Sequence, residues 1–233
     1  MAWLCGVDGF KDRWRAIIGN FDTGEVRHAD LPLKDLLDLP EKPAVIAVDV
    51  PIGLPEVTLP GGRTCDRLAR LLIRPRHRSV FSPIGRMCLH IDDRKEASQF
   101  STDRGGIGIS AQSWGLRKKL LEIDVVVIPD QQRVIHEVHP EVSFFEMNGG
   151  YPLVNSKKTE QGALERIKLL ESCGYPGSFL TPLSSLRSGR EDFLDACAAL
   201  WTAERIYRGK AKRFPPAEAR EHDGRGLDMA IWF

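Results

Sequence analysis

Three short apolar runs follow one another at the start of the chain, and turn-forming residues separate them. The first run, at 3–7, ends at Asp8-Gly9. The next two, at 14–18 and 26–29, are joined through 20–24, a segment rich in hairpin-forming residues. Apolar runs of this length, bounded by turn residues, are typical of buried strands. The sequence therefore predicts an antiparallel meander of three strands.

Helix-like and strand-like patterns then alternate. Leucines at helical spacing precede a fourth apolar run at 44–48, which ends at Asp49, and a fifth run lies at 134–138. Ser188-Gly189-Arg190-Glu191 matches the capping box of a last helix that should reach about Arg208. This alternation predicts an α/β fold with a mixed sheet, antiparallel in the meander and parallel beyond it, flanked by helices.

The segment 53–130 contains two helical patterns and little that predicts a strand. We therefore expect one domain over 1–233, with a mainly helical insertion at 53–130 between strands four and five. A chain of 233 residues with 42% hydrophobic and 28% charged residues has enough apolar side chains for a folded core.

The five cysteines are odd in number and never form a CxxC pair, which argues against both a disulfide framework and a zinc knuckle. A reducing compartment fits this pattern best. The first residues show no charged-then-apolar leader, and no stretch approaches the roughly 18 apolar residues of a membrane helix. We expect a cytoplasmic protein without a membrane anchor. The sequence leaves the oligomeric state open.

Carboxylates lie at or near the ends of three predicted strands: Asp8, Asp49 and Glu137. Ligands gather at the carboxyl ends of neighbouring parallel strands, so these side chains can meet if strands one, four and five are parallel neighbours. Asp192 and Asp195, one turn apart on the last helix, can reach the same place. Clustered carboxylates call for a cation, and hard oxygen ligands favour Mg²⁺ or Mn²⁺.

Each acid also has a simpler interpretation. Asp8 and Asp49 can be turn residues, and Asp192 can be a helix-start charge favoured by the helix dipole. Asp195 is harder to explain in this way, because its apolar and alanine neighbours predict a buried helix. A buried carboxylate without a partner is costly, so Asp195 should have one.

The motifs around these acids resemble one known family. The strongest are Gly6-Val7-Asp8-Gly9, Ala47-Val48-Asp49-Val50-Pro51-Ile52-Gly53, Glu137-Val138-His139-Pro140-Glu141 and Asp192-Phe193-Leu194-Asp195-Ala196-Cys197-Ala198-Ala199. Together they resemble domain-of-unknown-function family 429 (DUF429), which is grouped with ribonuclease H-like folds and described as predicted nucleases. The resemblance implies a ribonuclease H-like fold, and it implies a metal shell formed by the acids named above.

For a nuclease of this type, the chemistry implied is two-metal phosphodiester hydrolysis. Asp8 would bridge both ions, Asp49 and Glu137 would hold one each, and Asp195 would complete the shell. Asp192 is the alternative to Asp195 as the metal ligand from the last helix.

Two residues after the fifth strand are expected to support the site. Glu141 has a general supporting role, while His139 shares a side of its strand with Glu137 and could orient a phosphate or a water. A histidine hydrogen-bonded at a strand end, just before Pro140, explains His139 equally well. The segment is not the helical HExxH of zinc peptidases, because it reads as a strand, so zinc hydrolysis is not expected.

Arginines recur at helical spacing near the start of the expected insertion and continue just beyond that helix: Arg63, Arg67, Arg70, Arg74, Arg76 and Arg78. This arginine stripe could neutralise the phosphates of a nucleic acid, which is the partner we expect. A solvated helix face paired with local acids is equally compatible with the pattern.

The expected function is that of a nuclease or related phosphodiester hydrolase that depends on Mg²⁺ or Mn²⁺. Two alternatives stay open. An actin-like, nucleotide-dependent phosphotransferase shares the topology, but such enzymes usually have two domains and a Gly/Thr-rich turn after the first strand. A non-catalytic module could instead retain the fold and bind nucleic acid through the arginine stripe, and its binding would survive loss of the carboxylates.

Overall fold

The computed structural model describes residues 2–184 and 189–233. Its strands and helices in chain order are β1 Leu4–Phe10, β2 Arg13–Asn20, β3 Glu25–Leu31, α1 Leu33–Leu37, β4 Val45–Val48, α2 Thr64–Leu72, α3 Arg94–Thr102, α4 Ala111–Gly115, α5 Arg117–Val126, β5 Ile135–Glu137, α6 Pro140–Met147, α7 Glu160–Ser172, α8 Gly177–Ser184, α9 Arg190–Tyr207, β6 Arg213–Phe214 and β7 Ile231–Trp232. Short 3₁₀ helices lie at Arg76–Ser79, Arg86–Cys88, Pro129–Arg133 and Ala217–Ala219.

The chain divides into two compact units. The first contains the residues up to Asp49, Val134–Ala211 and Trp232–Phe233, and the second contains Val50–Arg133 and Lys212–Ile231. The first unit carries the main sheet, and the second carries α2 to α5. The boundaries of 53 and 130 for a helical insertion stay a prediction.

In the described part of the chain, one sheet has five strands in the order β3-β2-β1-β4-β5. β1 pairs antiparallel with β2, and β2 pairs antiparallel with β3, so the predicted meander is confirmed. β4 pairs parallel with both β1 and β5. Strands one, four and five are therefore parallel neighbours, as a shared site at their carboxyl ends requires. The coarse prediction of an α/β fold with a mixed sheet is confirmed.

The turn between β2 and β3 follows from local chemistry. The Asn20 side-chain oxygen accepts a hydrogen bond from the Asp22 amide at 3.1 Å, and Gly24, with φ of 76°, donates its amide to the Asn20 carbonyl at 2.9 Å. Asparagine and glycine favour such a reversal, because one bonds its own backbone and the other tolerates positive φ.

Helix α9 packs directly on the sheet and forms the centre of the core. All its residues from Phe193 to Ala203 are buried, and the small alanines at 196, 198 and 199 are among them. Gly6 in β1 makes the close approach possible, because a Cβ there would lie 2.0 Å from the Leu200 amide nitrogen and 2.3 Å from the Ala196 carbonyl oxygen. The predicted last helix is confirmed from Arg190 onwards, and the proposed cap, Ser188, lies outside the described residues.

The second unit contains the helices α2, α3, α4 and α5. Within this unit, β6 packs against α2. Across the described residues, no helix combines the length and the apolar character needed to cross a bilayer.

Candidate metal centre

A row of charged side chains crosses the first unit where the parallel strands end. In the sheet register, Asp8 of β1 lies opposite Arg15 of β2, and Arg15 lies opposite Asp30 of β3. On the other side, Val7 pairs with Val48, and the Asp49 amide continues the ladder by donating to the Val7 carbonyl at 2.9 Å. Residues in one row share a face of the sheet, so Asp8 and Asp49 project together.

Asp195 joins this pair from above. It lies on α9 beside Ala196, whose carbonyl is one of the backbone groups nearest to Gly6 in β1. One carboxylate oxygen from each of Asp8, Asp49 and Asp195 lies within 4.8 Å of the other two. Asp195 is only 3% exposed, and its Oδ1 is buried with no hydrogen-bond partner among the described residues. The three aspartates therefore form a cluster with unused ligand capacity, which we call the acidic triad.

Lys157 is a member of the site that the sequence did not indicate. Its Nζ donates to Oδ2 of Asp195 at 2.7 Å, and its side chain is 34% exposed while that of Asp195 is 4% exposed. The Asp195 carboxylate raises the pKa of Lys157, so this lysine is a fixed positive charge. No helical or strand periodicity could have revealed it, because it lies in the loop that precedes α7.

The electrostatics of the triad favour a bound cation. Burial is the largest cause that raises the pKa of Asp8 well above its usual range, and the charges of Asp49 and Asp195 raise it further. Burial and then Asp195 raise the pKa of Asp49 to about 7. Like charges held together out of water resist ionisation, whereas a divalent cation would favour the charged carboxylates.

Glu137 does not join the triad, although its predicted place was in the metal shell with Asp8 and Asp49. It pairs with Val48 in the register of β4 and β5, whereas Val138 is the residue beside Asp49. A shift of one residue along a strand turns a side chain to the opposite face of the sheet. Glu137 is buried, but on the other face from Asp8 and Asp49.

Glu141 lies outside the acidic triad but acts on it through its charge. Its charge contributes to the raised pKa of Asp49, and it forms a buried ion pair with Arg166 of α7. Arg166 also donates to the Gly162 carbonyl at 3.0 Å. His139 lies just before α6, where its carbonyl accepts from the amides at 142 and 143. Its predicted role on a phosphate or a water stays a prediction.

Asp192 and Asp195 separate into two roles. Asp195 belongs to the acidic triad, while Asp192 lies one turn earlier and outside it. The charge of Asp192 still raises the pKa of Asp8, and burial followed by Asp195 raises the pKa of Asp192 itself. Beside them, Arg15 binds Asp30 through two hydrogen bonds of 2.7 and 2.8 Å and donates to the Gly189 carbonyl at 2.6 Å. Arg15 thereby fixes the start of α9.

The arginine stripe is less exposed than its spacing predicted. Arg63, predicted to contact nucleic acid, is 2% exposed, binds Asp66 at 2.7 Å and donates to the carbonyls of Ile52 and Gly53, so its guanidinium group is engaged inside the protein. Arg70 is half-buried and donates to the Val80 carbonyl at 2.8 Å.

Other arginines of the stripe remain accessible. Arg67, Arg74 and Arg78 are exposed, and Arg76 is half-buried in a 3₁₀ helix. Arg67 and Arg74 line a shallow depression with Leu71, which is 59% exposed. Arg67, although exposed, already donates to the Gly62 carbonyl at 2.6 Å and to the Thr64 hydroxyl at 2.7 Å, so Arg74 and Arg78 are the more accessible members of the stripe.

The mixed sheet and the acidic triad define this chain as an α/β protein with a candidate divalent-cation site. It belongs to the family described as protein of unknown function DUF429, whose model matches residues 6–220. The match covers most of the chain and includes every member of the triad. Neither the curated proteins nor the solved structures contain a match to this chain.

The raised pKa of Asp49 predicts how the metal-free protein responds to pH. A carboxyl that titrates near 7 when folded and near 3.8 when unfolded stabilises the folded state fully below about pH 4 and loses that contribution as pH rises through 7. Asp49→Asn removes the free-energy cost of ionising this carboxyl in the folded protein. In a chelator we expect it to raise the stability at pH 8 by on the order of 2 kcal/mol, roughly 4–8 °C in Tm, with a smaller gain at pH 5.

Thermal melts of both proteins across pH 5–8 check this prediction. Asp35→Asn, an exposed aspartate of α1, is the matched control and should leave the pH profile unchanged. An Asp49→Asn profile that runs parallel to the wild type across this range would contradict the raised pKa of Asp49.

Proposed function

We propose that this protein is a phosphodiester hydrolase of the ribonuclease H-like type that depends on Mg²⁺ or Mn²⁺ and acts on nucleic acid. The observation that carries the proposal is the convergence of Asp8, Asp49 and Asp195 at the ends of parallel strands. The antiparallel meander joined to two parallel strands agrees with the fold that the family resemblance implies. Ligands in such sheets collect at this edge.

The residues present fit a hard divalent cation. The three side chains offer carboxylate oxygens, which Mg²⁺ and Mn²⁺ prefer over the nitrogen and sulfur ligands of softer metals. The buried Oδ1 of Asp195 lacks a hydrogen-bond partner in the described part of the chain, and such a group is costly unless something binds it. A cation bound to this oxygen would remove that cost.

Each side chain has a defined task in this proposal. Asp8, Asp49 and Asp195 would hold the ion, which when bound activates a water and stabilises the leaving oxygen of a phosphodiester. Lys157 neutralises one oxygen of Asp195 and fixes the orientation of that carboxylate. Arg15 anchors α9 through the Gly189 carbonyl, and it thereby holds Asp195 in place above the sheet.

Nucleic acid is the proposed substrate because the second unit presents accessible cations. The exposed side chains of Arg74 and Arg78 can each neutralise a phosphate, and such contacts give affinity without sequence specificity. All five cysteines are free thiols, which suits the cytoplasmic location that we propose.

Hydrolysis assays with purified wild-type protein test the function. Single-stranded, duplex, hybrid and branched substrates are incubated with Mg²⁺, with Mn²⁺, or with a chelator. We expect cleavage of at least one substrate with either metal and none in the chelator, because the triad cannot act without its cation. Cleavage that continues in the chelator, or no cleavage of any substrate at saturating metal, would contradict the proposal.

A further inference from the structure

We infer that Lys157 is the second cation of the site, so that the acidic triad takes one divalent ion rather than two. This inference rests on the proposed metal-dependent function, and it concerns how that site is built. The family resemblance implies a two-metal centre, in which a second ion would need ligands of its own. The structure gives that place to the ammonium group of a lysine.

The two oxygens of the Asp195 carboxylate have different surroundings. Oδ2 accepts a hydrogen bond from the Nζ of Lys157 at 2.7 Å. Oδ1 is buried and has no hydrogen-bond partner among the described residues. The whole side chain is only 4% exposed. One oxygen is therefore already neutralised, and the other is left for a ligand. A single ion that binds Oδ1 would satisfy the remaining capacity of this carboxylate.

The charges of the triad and Lys157, taken together, balance with one ion. Asp8, Asp49 and Asp195 carry three negative charges when ionised, and Lys157 carries one positive charge, which leaves two negative charges. One divalent cation cancels them. A second would leave the buried centre with two positive charges in excess, and charge imbalance out of water is costly.

The ligands also argue against a second ion. In the two-metal arrangement Glu137 would hold one of the ions, but Glu137 lies on the opposite face of the sheet from Asp49. Without Glu137 as a ligand, the triad is the main ligand set. One of the triad's oxygens is already bound to Lys157.

The loop that carries Lys157 is held in place, as expected if its position matters. Glu165 of α7 accepts hydrogen bonds from the amides of Val154 and Asn155, both at 2.9 Å. The hydroxyl of Thr159 donates to the Ser156 carbonyl at 2.8 Å. At Gly162, a Cβ would lie 1.9 Å from that same carbonyl oxygen, so the loop packs against the first turn of α7. Lys157 therefore reaches Asp195 from a fixed backbone.

Counting bound Mn²⁺ tests the inference without any measurement of activity. Electron paramagnetic resonance titrations give the number of tightly bound ions per chain for the wild type, Lys157→Arg and Lys157→Met. We expect one ion in the wild type and in Lys157→Arg, which keeps the charge. We expect a second, weaker ion in Lys157→Met, because the change frees Oδ2 of Asp195 and a single ion then leaves one of the three negative charges uncancelled. Lys158→Met, which removes the exposed neighbouring lysine, is the matched control and should bind one ion.

The outcomes separate this inference from the proposed function. Two ions in the wild type would overturn the inference while leaving the metal-dependent function intact, and so would a single ion in folded Lys157→Met. No tight Mn²⁺ in the wild type would overturn the proposed function itself. If Lys157→Met does not fold, the wild-type count still decides between one ion and two.

Discussion

Replacing Asp8 by asparagine is expected to lower the rate of metal-dependent phosphodiester hydrolysis by more than about a hundredfold. Asp8 lies in the row between Arg15 and Asp49, and it contributes one of the three carboxylates of the acidic triad. Asparagine keeps the size of the side chain but removes the charge that binds the cation. Changes to outer partners of metal ligands cost about 10–100-fold, so the loss of a direct ligand should cost more.

The exposed Asp12 supplies the matched control for this variant. It lies in the turn after β1, four residues from Asp8. Initial rates at saturating Mg²⁺ are compared for Asp8→Asn, Asp12→Asn and the wild type on the substrate that the wild type cleaves best. Asp12→Asn should match the wild type. An Asp8→Asn variant that folds and keeps its rate within tenfold would exclude Asp8 as a ligand.

The second large effect is expected at Gly6, where alanine should destabilise the protein by at least about 3 kcal/mol, or roughly 10 °C in Tm. The added methyl group would meet backbone atoms of Leu200 and Ala196 at 2.0 and 2.3 Å. Backbone atoms cannot rotate away as a side chain can, so α9 has to move from β1. Such a movement carries Asp195 away from Asp8, and we expect stabilisation by Mg²⁺ to be lost as well.

Gly115→Ala is the control for that substitution. Gly115 ends α4, and no heavy atom lies within 4 Å of a Cβ placed there. Alanine favours a helix over glycine by roughly 0.5–1 kcal/mol, so this variant should be neutral or slightly stabilised. Thermal melts with and without Mg²⁺ measure both effects. A Gly6→Ala protein as stable as Gly115→Ala would contradict the close packing of α9 on the sheet.

Much of the fold and part of the site could be predicted from the sequence, because both depend on local patterns. Short apolar runs and hairpin residues define the meander, and Asp8 and Asp49 each follow a buried run directly. Asp195 stood out because a carboxylate in an alanine-rich, apolar helix needs a partner. These inferences use only the period of the secondary structure and the cost of burying charge.

The other members of the site depend on register and loops, which no single-strand pattern specifies. Glu137 and Asp49 both lie near strand ends, yet a one-residue offset between β4 and β5 places them on opposite faces. Lys157 reaches Asp195 across 38 positions of sequence from a loop. Arg63 has the spacing of an exposed stripe, but its guanidinium group is used to join Asp66 to the carbonyls at 52 and 53. Tertiary contacts decided each of these cases.

The most direct test of the acidic triad as a metal centre is anomalous diffraction from crystals grown at pH 8 in excess Mn²⁺. We expect one anomalous peak bound by oxygens of Asp8, Asp49 and Asp195, with Lys157 still bound to Asp195. No peak among these three carboxylates, or a peak held by other residues alone, would contradict the central claim.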